Sequence, residues 1–506
     1  MIISISLALM VAGMLLFVLR GFDVPEIPLY LVSGLALSAF VGFGEAQGFL
    51  PESFVEPAII TELASLGLGI LVFYTTSGME LDSRRKTSLD SFKSSTWLFA
   101  VSFGSVAGIS SLLGIPAFGS FLLGLAASVG STMLDFGIVK EETRAGHIYG
   151  RLTENTNFFT DLFAVVAFGG AISAFADAGA VTGIMSSTAL ILAALLLRRP
   201  FGSVIMRVTD GESELLLLSG VMAFVCSAVA SELLGVTALP GIYAAGILMV
   251  DTELGYRVRE RFSSIKDFFT ALAFFSIGFM FEVPPTRYLV AALAVGTVAV
   301  VLRPLLQILF TRIQGYDLRT GFMSSLQTSH VSEVALLSSL IAMPVTGDLV
   351  FNSVAFIFAV SVVFAELVED NEQYLFERLF SSYELDPEKT DLPENPSGHV
   401  ILAGYDEKTE GIEDMFDREV VVADFDLERI EEAEERGLYH LLADLESSEA
   451  WKTMNAGEAS LVVSGTGDGS VKNMVQEIEG PTKVTVDPDS DSVEQRLRSM
   501  LGSSIE

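Results

Sequence analysis

Long runs of apolar residues fill the chain up to about residue 368 and then stop. Apolar side chains make up 51% of the 506 residues, and the mean hydropathy is +0.53. An apolar run of about 20 residues crosses a bilayer as a helix, because the lipid offers the backbone no hydrogen-bond partners. The sequence therefore predicts a polytopic α-helical membrane domain at 1–370, a linker at 371–396 and a soluble domain at 397–506.

Hydropathy predicts about thirteen membrane spans. The run at 1–19 has neither a basic n-region nor a small-residue cleavage site, so we interpret it as a retained helix rather than a signal peptide. The candidate spans lie near residues 2–20, 27–44, 57–79, 94–114, 115–140, 150–175, 179–198, 214–235, 238–251, 262–282, 287–311, 319–343 and 347–368.

The basic residues predict the orientation of these spans. Lys and Arg cluster after the third, fifth, seventh, ninth and eleventh spans, while the intervening loops hold almost none. Because basic loops stay in the cytoplasm, we expect the N-terminus outside and the soluble domain on the cytoplasmic side of the plasma membrane. Spans one to six and eight to thirteen then have opposite topologies, which predicts an inverted repeat, a common plan of transporters.

The charge of the chain limits its partners. The formal net charge is -33, and Asp and Glu crowd the segment from Asp370 onward. An acidic surface repels nucleic acid and anionic lipid, so we expect neither as a partner. We interpret the charge as an adaptation to high salt, as in a halophile, with an ordinary acidic tail as the alternative. The single cysteine, Cys226, excludes a disulfide within the chain.

Asp161 carries the clearest functional signal, because it lies in the middle of the apolar run at 150–175. About ten residues of helix, or roughly 15 Å, separate it from the cytoplasmic end at Arg151. A carboxylate at that depth costs roughly 2.5–3.5 kcal/mol or more and is typical of a site that moves ions or protons. Arg303, in the eleventh span, is expected at a similar depth of roughly 13 Å.

Two polar stretches, at 128–132 and 327–333, occupy corresponding positions in the two halves. Their small and hydroxylated residues predict unwound helix segments with oxygens available to a cation, and ordinary small-residue helix packing is the alternative. The residues that we expect to act here are Ser128, Ser131, Thr132, His330 and Glu333.

Three further ionisable residues are candidates for a funnel or a pH sensor. Glu154 shares the helix face of Asp161, and Asp135 lies near the cytoplasmic end of the fifth span. For both, a solvated position at the mouth is the simpler interpretation. His330 titrates near neutral pH if it is accessible, and a hydrogen-bonded structural role is the alternative.

The soluble domain shows a strand pattern. Polar, helix-compatible segments separate the first three of its four short apolar runs, and this alternation predicts a parallel sheet of Rossmann type. The runs lie at 399–404, 419–424, 439–444 and 460–464.

The membrane domain resembles the monovalent cation:proton antiporter-2 family, to which Kef-type and NapA-like proteins belong. The resemblance implies an NhaA-like fold, exchange of Na⁺ or K⁺ for protons at Asp161, and a homodimer in which spans four to six and eleven to thirteen move against the others. It rests on the segment 66–85, on Ser131-Thr132 before Val139-Lys140-Glu141, on Gly150-Arg151 before Asp161, on the segments 232–246 and 274–279, and on Ser332-Glu333.

The chain departs from that family in one respect that bears on stoichiometry. Thr160 stands where the family has an amide or a second carboxylate before the essential Asp. A single carboxylate predicts electroneutral exchange. Arg303 occupies the position of the family's basic residue, and Glu333 is the candidate for its ionic partner, as a substitute for the missing carboxylate.

The soluble domain resembles the TrkA-type nucleotide-binding (RCK-like) domain of Kef-like transporters. The resemblance implies a nucleotide, NAD(H) or AMP, near Gly404, Asp424, Gly465 and Gly467. However, Asp406 and Thr409 replace two glycines of the phosphate-binding turn, whose backbone must approach a pyrophosphate closely. We therefore predict weak binding or none, with dimerisation or docking on the transporter as the alternative role.

Two rival functions remain open from the sequence. A gated cation channel would need a filter-like run of glycines and aromatic residues, which the sequence lacks. A membrane sensor without transport would not need Asp161, Arg303 or the hydroxyl-rich stretches. The sequence shows no nucleophile–base arrangement, so we do not expect an enzyme.

Overall fold

The chain divides into two compact units, and the division toward the C-terminus falls between Leu375 and Phe376. The predicted first span, at 2–20, lies outside the described residues. The computed structural model describes residues 26–485 apart from 50–54, 80–84, 131–147, 176–178, 210–211, 251, 315, 317, 370, 381–389, 394–395, 406–411, 425–426, 444, 446–447, 465–474, 477, 479 and 481.

The first unit is a bundle of helices that coincide with the apolar runs from residue 27 onward. Among the described helices, 8 are long and apolar enough to cross a bilayer, or 9 if one bent pair counts as a span, so the count of thirteen stays a prediction. The helices are α1 (Glu26–Ala46), α2 (Pro57–Ser77), α3 (Arg85–Leu112), α4 (Ala117–Ser128), α5 (Ile148–Phe175), α6 (Ala180–Thr209), α7 (Ser213–Leu233), α8 (Ala238–Ile247), α9 (Glu253–Met280), α10 (Thr286–Thr297), α11 (Arg303–Ile313), α12 (Leu318–Gln327), α13 (Glu333–Ile341), α14 (Met343–Thr346) and α15 (Asp348–Glu369).

Helix α8 is short and almost entirely buried. A Cβ on its Gly241 would overlap the carbonyl of Ser227 in α7, and one on its Gly246 would press against Thr76 in α2. Small residues allow helix backbones to approach this closely in membranes. The close packing of these glycines is therefore found within one chain, and residues 239–247 of α8 are buried there.

Helices α4 and α12 both end in the middle of the bundle. α4 ends at Ser128, and Val129 is extended (φ -112°, ψ 129°). α12 ends at Gln327, and residues 328–332 are not helical before α13 begins. The predicted interruption is confirmed in the second half. In the first half, Gly130 is the last described residue before the gap at 131–147. Ser131, Thr132 and Asp135 therefore lie outside the described residues.

A π-helical turn at Val298–Leu302 separates α10 from α11. The amide of Arg303 bonds to the carbonyl of Val298, five residues back. The wider turn shifts the helix phase, and such turns occur frequently at functional sites. The sequence predicted one continuous span at 287–311 and gave no sign of this turn.

The second unit contains a 6-stranded sheet in the order β1-β4-β3-β2-β5-β6. β1 is antiparallel to β4 and the other pairs are parallel. The four predicted runs are the strands β2 to β5, and every residue of β2, β3 and β5 is buried, as expected for a parallel sheet covered on both faces. The strands are β1 (Thr390–Asp391), β2 (Val400–Ala403), β3 (Val420–Asp424), β4 (Tyr439–Leu442), β5 (Leu461–Ser464) and β6 (Thr482–Thr485).

The segment 371–396, predicted as a linker, contains two regular elements. These are helix α16 (Glu372–Leu379) and strand β1, which extends the sheet. After β3 the chain forms α17 (Leu427–Glu435), and after β4 it forms α18 (Ser448–Thr453). The sheet is that of a small parallel α/β domain, while its assignment as a Rossmann domain stays a prediction.

Candidate functional site

Asp161 lies inside the bundle with only 2% of its surface exposed. The hydroxyl of Ser332 donates a long hydrogen bond of 3.5 Å to Oδ1 of Asp161. The same hydroxyl accepts from the amide of Val334 at 3.0 Å and so caps α13. The N-terminal end of α13, where the backbone carries a partial positive charge, therefore lies beside the carboxylate.

Two further charged residues accompany Asp161. Glu333 begins α13 and Arg303 begins α11, and neither side chain is exposed. Both lie within electrostatic reach of the Asp161 carboxylate. A buried charge without a partner is strongly destabilising, and compensation of these carboxylates by the guanidinium stays a prediction. The structure thus brings Glu333 near Asp161 and Arg303, the two charged residues that the sequence placed at a similar depth.

Arg303 lies where both helix interruptions meet α5. From the position that a Cβ on Gly130 would take, Nη2 of Arg303 is 2.9 Å away, Oδ1 of Asn157 is 2.7 Å away and the carbonyl oxygen of Thr328 is 3.2 Å away. Among the described residues, none accepts a hydrogen bond from the guanidinium nitrogens. Arg303 therefore acts on the described part of the site through its charge.

Two predicted ligand hydroxyls, those of Thr160 and Ser128, are buried and bond to their own helices. Thr160 donates to the carbonyl of Asn157 at 3.1 Å, and Ser128 donates to that of Gly124 at 2.7 Å. A hydroxyl that gives its hydrogen to a carbonyl keeps lone pairs for a cation. Their role as ion ligands stays a prediction.

A second polar layer continues the site along the same helices. The hydroxyl of Ser324 in α12 accepts hydrogen bonds from Nε2 of Gln307 at 3.0 Å and from Oγ1 of Thr153 at 3.2 Å. All three side chains are buried. Gln307 follows Arg303 by one turn and Thr153 precedes Asp161 by two turns. The layer therefore extends from the site toward the end of the bundle that we predict to be cytoplasmic.

The sequence interpretation missed Asn157, Gln307 and Tyr243. A spacing of four residues from Asp161 or from Arg303 is the signal that would have revealed the first two. Tyr243 has no such signal, because it lies on a different helix. Glu154 is half-buried and His330 is buried, so a role for either in a funnel or in pH sensing stays a prediction.

In the second unit, Asp424 stands at the end of β3 as the resemblance implied. Its carboxylate is buried, accepts a hydrogen bond from the amide of Tyr405 at 2.7 Å and lies 3.7 Å from Nη1 of Arg429. Gly404, which precedes Tyr405, has φ 87°, a conformation that favours glycine. Protein groups therefore engage the carboxylate that would bind a ribose.

The described part of the connection from β2 to β3 contains a buried tyrosine and a short helical turn. Tyr405 is buried, and its hydroxyl donates to Glu413 at 2.9 Å. Beyond Ile412 the connection contains a 3₁₀ turn, Glu413–Met415. A pyrophosphate needs the N-terminus of a helix after the first strand, and residues 406–411, where the phosphate turn is expected, lie outside the described residues. Gly465 and Gly467 lie outside the described residues.

A buried carboxylate beside an interrupted helix, with a buried arginine next to it, defines a secondary ion transporter when it lies inside a membrane bundle. The chain matches the family model described as sodium/hydrogen exchanger, transmembrane, over residues 5–369. It belongs to that family. The resemblance to monovalent cation:proton antiporters of Kef type is confirmed.

Individual relatives agree with this assignment. The chain is 24% identical over 457 residues to the putative cation/proton antiporter YbaL of Escherichia coli K12, covering 83% of this chain and 80% of that protein. It is 24% identical over 253 residues to the K(+) efflux antiporter 4 of Arabidopsis thaliana, covering 46% of this chain and 42% of that protein. The fold is similar to that of the sodium proton antiporter MjNhaP1 of Methanocaldococcus jannaschii, with a TM-score of 0.57 at 14% identity, over 75% of this chain and 99% of that chain.

Proposed function

We propose that the protein exchanges a monovalent cation, Na⁺ or K⁺, for protons at Asp161. The observation that carries the proposal is the burial of this carboxylate against Ser332 and the N-terminal end of α13. A carboxylate there binds either a proton or a cation, because protonation removes the charge that holds the cation. Competition at one site that opens alternately to the two sides of the membrane gives exchange.

The charges around the site support one cation for one proton. Arg303 compensates one of the two carboxylates, Asp161 and Glu333, and leaves one negative charge for either ligand to neutralise. In this proposal the site has the same charge whether it carries the cation or the proton. Transport is then electroneutral, in agreement with the expectation from Thr160.

We assign the second unit a regulatory role on the cytoplasmic side, exercised without a bound dinucleotide. The engaged carboxylate of Asp424 and the replacement of two turn glycines by Asp406 and Thr409 support this part of the proposal. We also propose a homodimer in which the helices that carry Asp161 and Arg303 move against the rest of the bundle.

Exchange in proteoliposomes tests the proposal. Asp161→Asn keeps the shape of the side chain but cannot exchange a proton, so proton flux driven by a Na⁺ or K⁺ gradient should fall to the level of empty vesicles. The matched control is Asp348→Asn, an exposed carboxylate in the first turn of α15. Flux that persists in Asp161→Asn contradicts the site, and wild-type flux that responds to an imposed membrane potential contradicts the stoichiometry.

A further inference from the structure

The hydroxyl of Tyr243 joins α8 to α5 next to the candidate ion site. It donates a hydrogen bond of 3.1 Å to the carbonyl of Phe158. The two rings also stack, with centroids 6.2 Å apart and planes inclined by 25°. Phe158 lies one turn before Asp161, so this contact fixes the turn of α5 that carries the carboxylate.

Two glycines bring α8 close to α2 and α7. Gly241 packs on the carbonyl of Ser227 in α7, and Gly246 packs on the carbonyl of Phe73 and the side chain of Thr76 in α2. Such close contacts leave little free space, and densely packed interiors resist deformation. If α8 stays with α2 and α7, a displacement of α5 relative to α8 has to break the side-chain contact of Tyr243.

We propose that Tyr243 is a positioning residue that holds the Asp161 turn of α5 against α8, and that its bond to the Phe158 carbonyl breaks each time α5 moves in transport. This inference rests on the proposed function, in which the helix that carries Asp161 moves. Tyr243 acts through the position of α5 and is not a ligand of the ion.

The charge of the ion site acts on this contact. The hydroxyl lies within electrostatic reach of the Asp161 and Glu333 carboxylates. A hydrogen bond is largely electrostatic and is strengthened in a low-dielectric interior, so the bond to the Phe158 carbonyl responds to a nearby negative charge. Neutralisation of Asp161 by a cation or a proton changes that charge and with it the strength of the contact.

The test measures how often α5 separates from its neighbours. Val165 follows Asp161 by one turn and is fully buried. A cysteine at this position is therefore alkylated only when α5 separates from the residues that pack around it. The background is Cys226→Ser, which removes the single native cysteine, an exposed one. In Cys226→Ser/Val165→Cys, the further change Tyr243→Phe deletes the hydroxyl and keeps the ring.

Loss of one intramolecular hydrogen bond should raise the alkylation rate roughly 2- to 12-fold. Cation/proton turnover of Tyr243→Phe, measured in the native background, should change as well, because the populations of the two transport states shift. The control is Tyr288→Phe, a buried tyrosine of α10. An unchanged alkylation rate in Tyr243→Phe, or an equal rise in Tyr288→Phe, overturns the proposal.

A second measurement serves if Tyr243→Phe does not reach the membrane. With 3-fluorotyrosine at position 243 the hydroxyl is kept, and the ¹⁹F spectrum of the full chain should differ between saturating Na⁺ or K⁺ and low pH without cation. One identical resonance under all these conditions overturns the proposal. Neither the alkylation rate nor the ¹⁹F spectrum requires transport. Both measurements therefore still test the role of Tyr243 if the Asp161→Asn experiment contradicts the proposed function.

Discussion

Gly130 and Arg303 approach each other so closely that position 130 has no room for a side chain. A Cβ there would lie 2.9 Å from Nη2 of the arginine. The glycine follows the end of α4, and the arginine begins α11. The small size of Gly130 therefore lets the guanidinium of Arg303 reach the point where the two interrupted helices meet. In the proposed site, the compensation of the Asp161 charge depends on that approach.

Gly130→Ala should therefore reduce turnover by about tenfold or more, because overpacking costs typically 1–3 kcal/mol and the guanidinium has to move. Gly108→Ala is the control, since a Cβ at that position in α3 meets no atom within 4 Å. Turnover in proteoliposomes, normalised to inserted protein, measures both. Equal activity of the two variants would show that the position of Arg303 is not critical.

Ser332→Ala should weaken cation binding, because the variant loses both the bond to Asp161 and the cap of α13. The bond is long, so we expect the half-saturating cation concentration to rise about 5- to 10-fold, near the lower end for bonds to charged groups. Ser332→Thr keeps both functions of the hydroxyl and should restore most of the affinity. An alanine variant that binds as well as the threonine variant contradicts the assignment. Ser339→Ala, whose hydroxyl bonds to the Leu336 carbonyl, is the control.

Gln307→Leu and Thr153→Val should be non-additive, because both side chains donate to the hydroxyl of Ser324. Each change alone removes one bond, worth about 0.5–1.5 kcal/mol. A double-mutant cycle on thermal stability and turnover should give an interaction energy of at least about 0.5 kcal/mol. Strict additivity would show that the two residues do not act through a shared partner.

The full-length protein should bind NAD(H) weakly or not at all. Asp424 is engaged by the amide of Tyr405, and Asp406 replaces a glycine of the expected phosphate turn. Calorimetry in high salt tests this directly, with AMP titrated in parallel. Binding of NAD(H) at micromolar concentration or tighter would contradict our interpretation of the turn, and loss of that binding in Asp424→Asn would place the ligand at β3.

Acid should destabilise the second unit through His399. Burial lowers the pKa of this histidine below its usual 6.5, while the nearby Met454 carbonyl and Glu419 oppose the shift less strongly. Nε2 donates to that carbonyl at 2.9 Å. The unfolded chain then binds a proton that the folded chain does not, so the contribution of His399 is complete above pH 6.5 and decreases as the pH falls below it.

Trp451 reports on this unit, because it is buried there and its indole donates to the Leu445 carbonyl. Trp97→Phe removes the other of the 2 tryptophans. Urea titrations followed by Trp451 fluorescence should give a lower midpoint at pH 5.5 than at pH 7.5, whereas His399→Asn should show a smaller difference. An equal pH dependence in both proteins would assign the effect to other groups.

Local sequence patterns predicted the class of fold and singled out Asp161 as the candidate central residue. Apolar runs place helices because lipid leaves the backbone no other partner, and a carboxylate within such a run is expensive enough to mark Asp161. Strands β2 to β5 were equally visible, because a covered parallel sheet requires continuous apolar runs. The interruption at 328–332 was predicted from its small and hydroxylated residues.

Contacts between distant side chains could not be predicted from local patterns. Tyr243 and Phe158 are 85 residues apart, and Ser324 is shared by two other helices, so no local periodicity encodes either contact. The π turn before Arg303 and the pairing of β1 with β4 were also missed, because both depend on neighbouring elements. Local sequence sets the free energy of a single helix or strand. The phase of α11 and the contacts of Tyr243 follow from packing between segments that are distant in the chain.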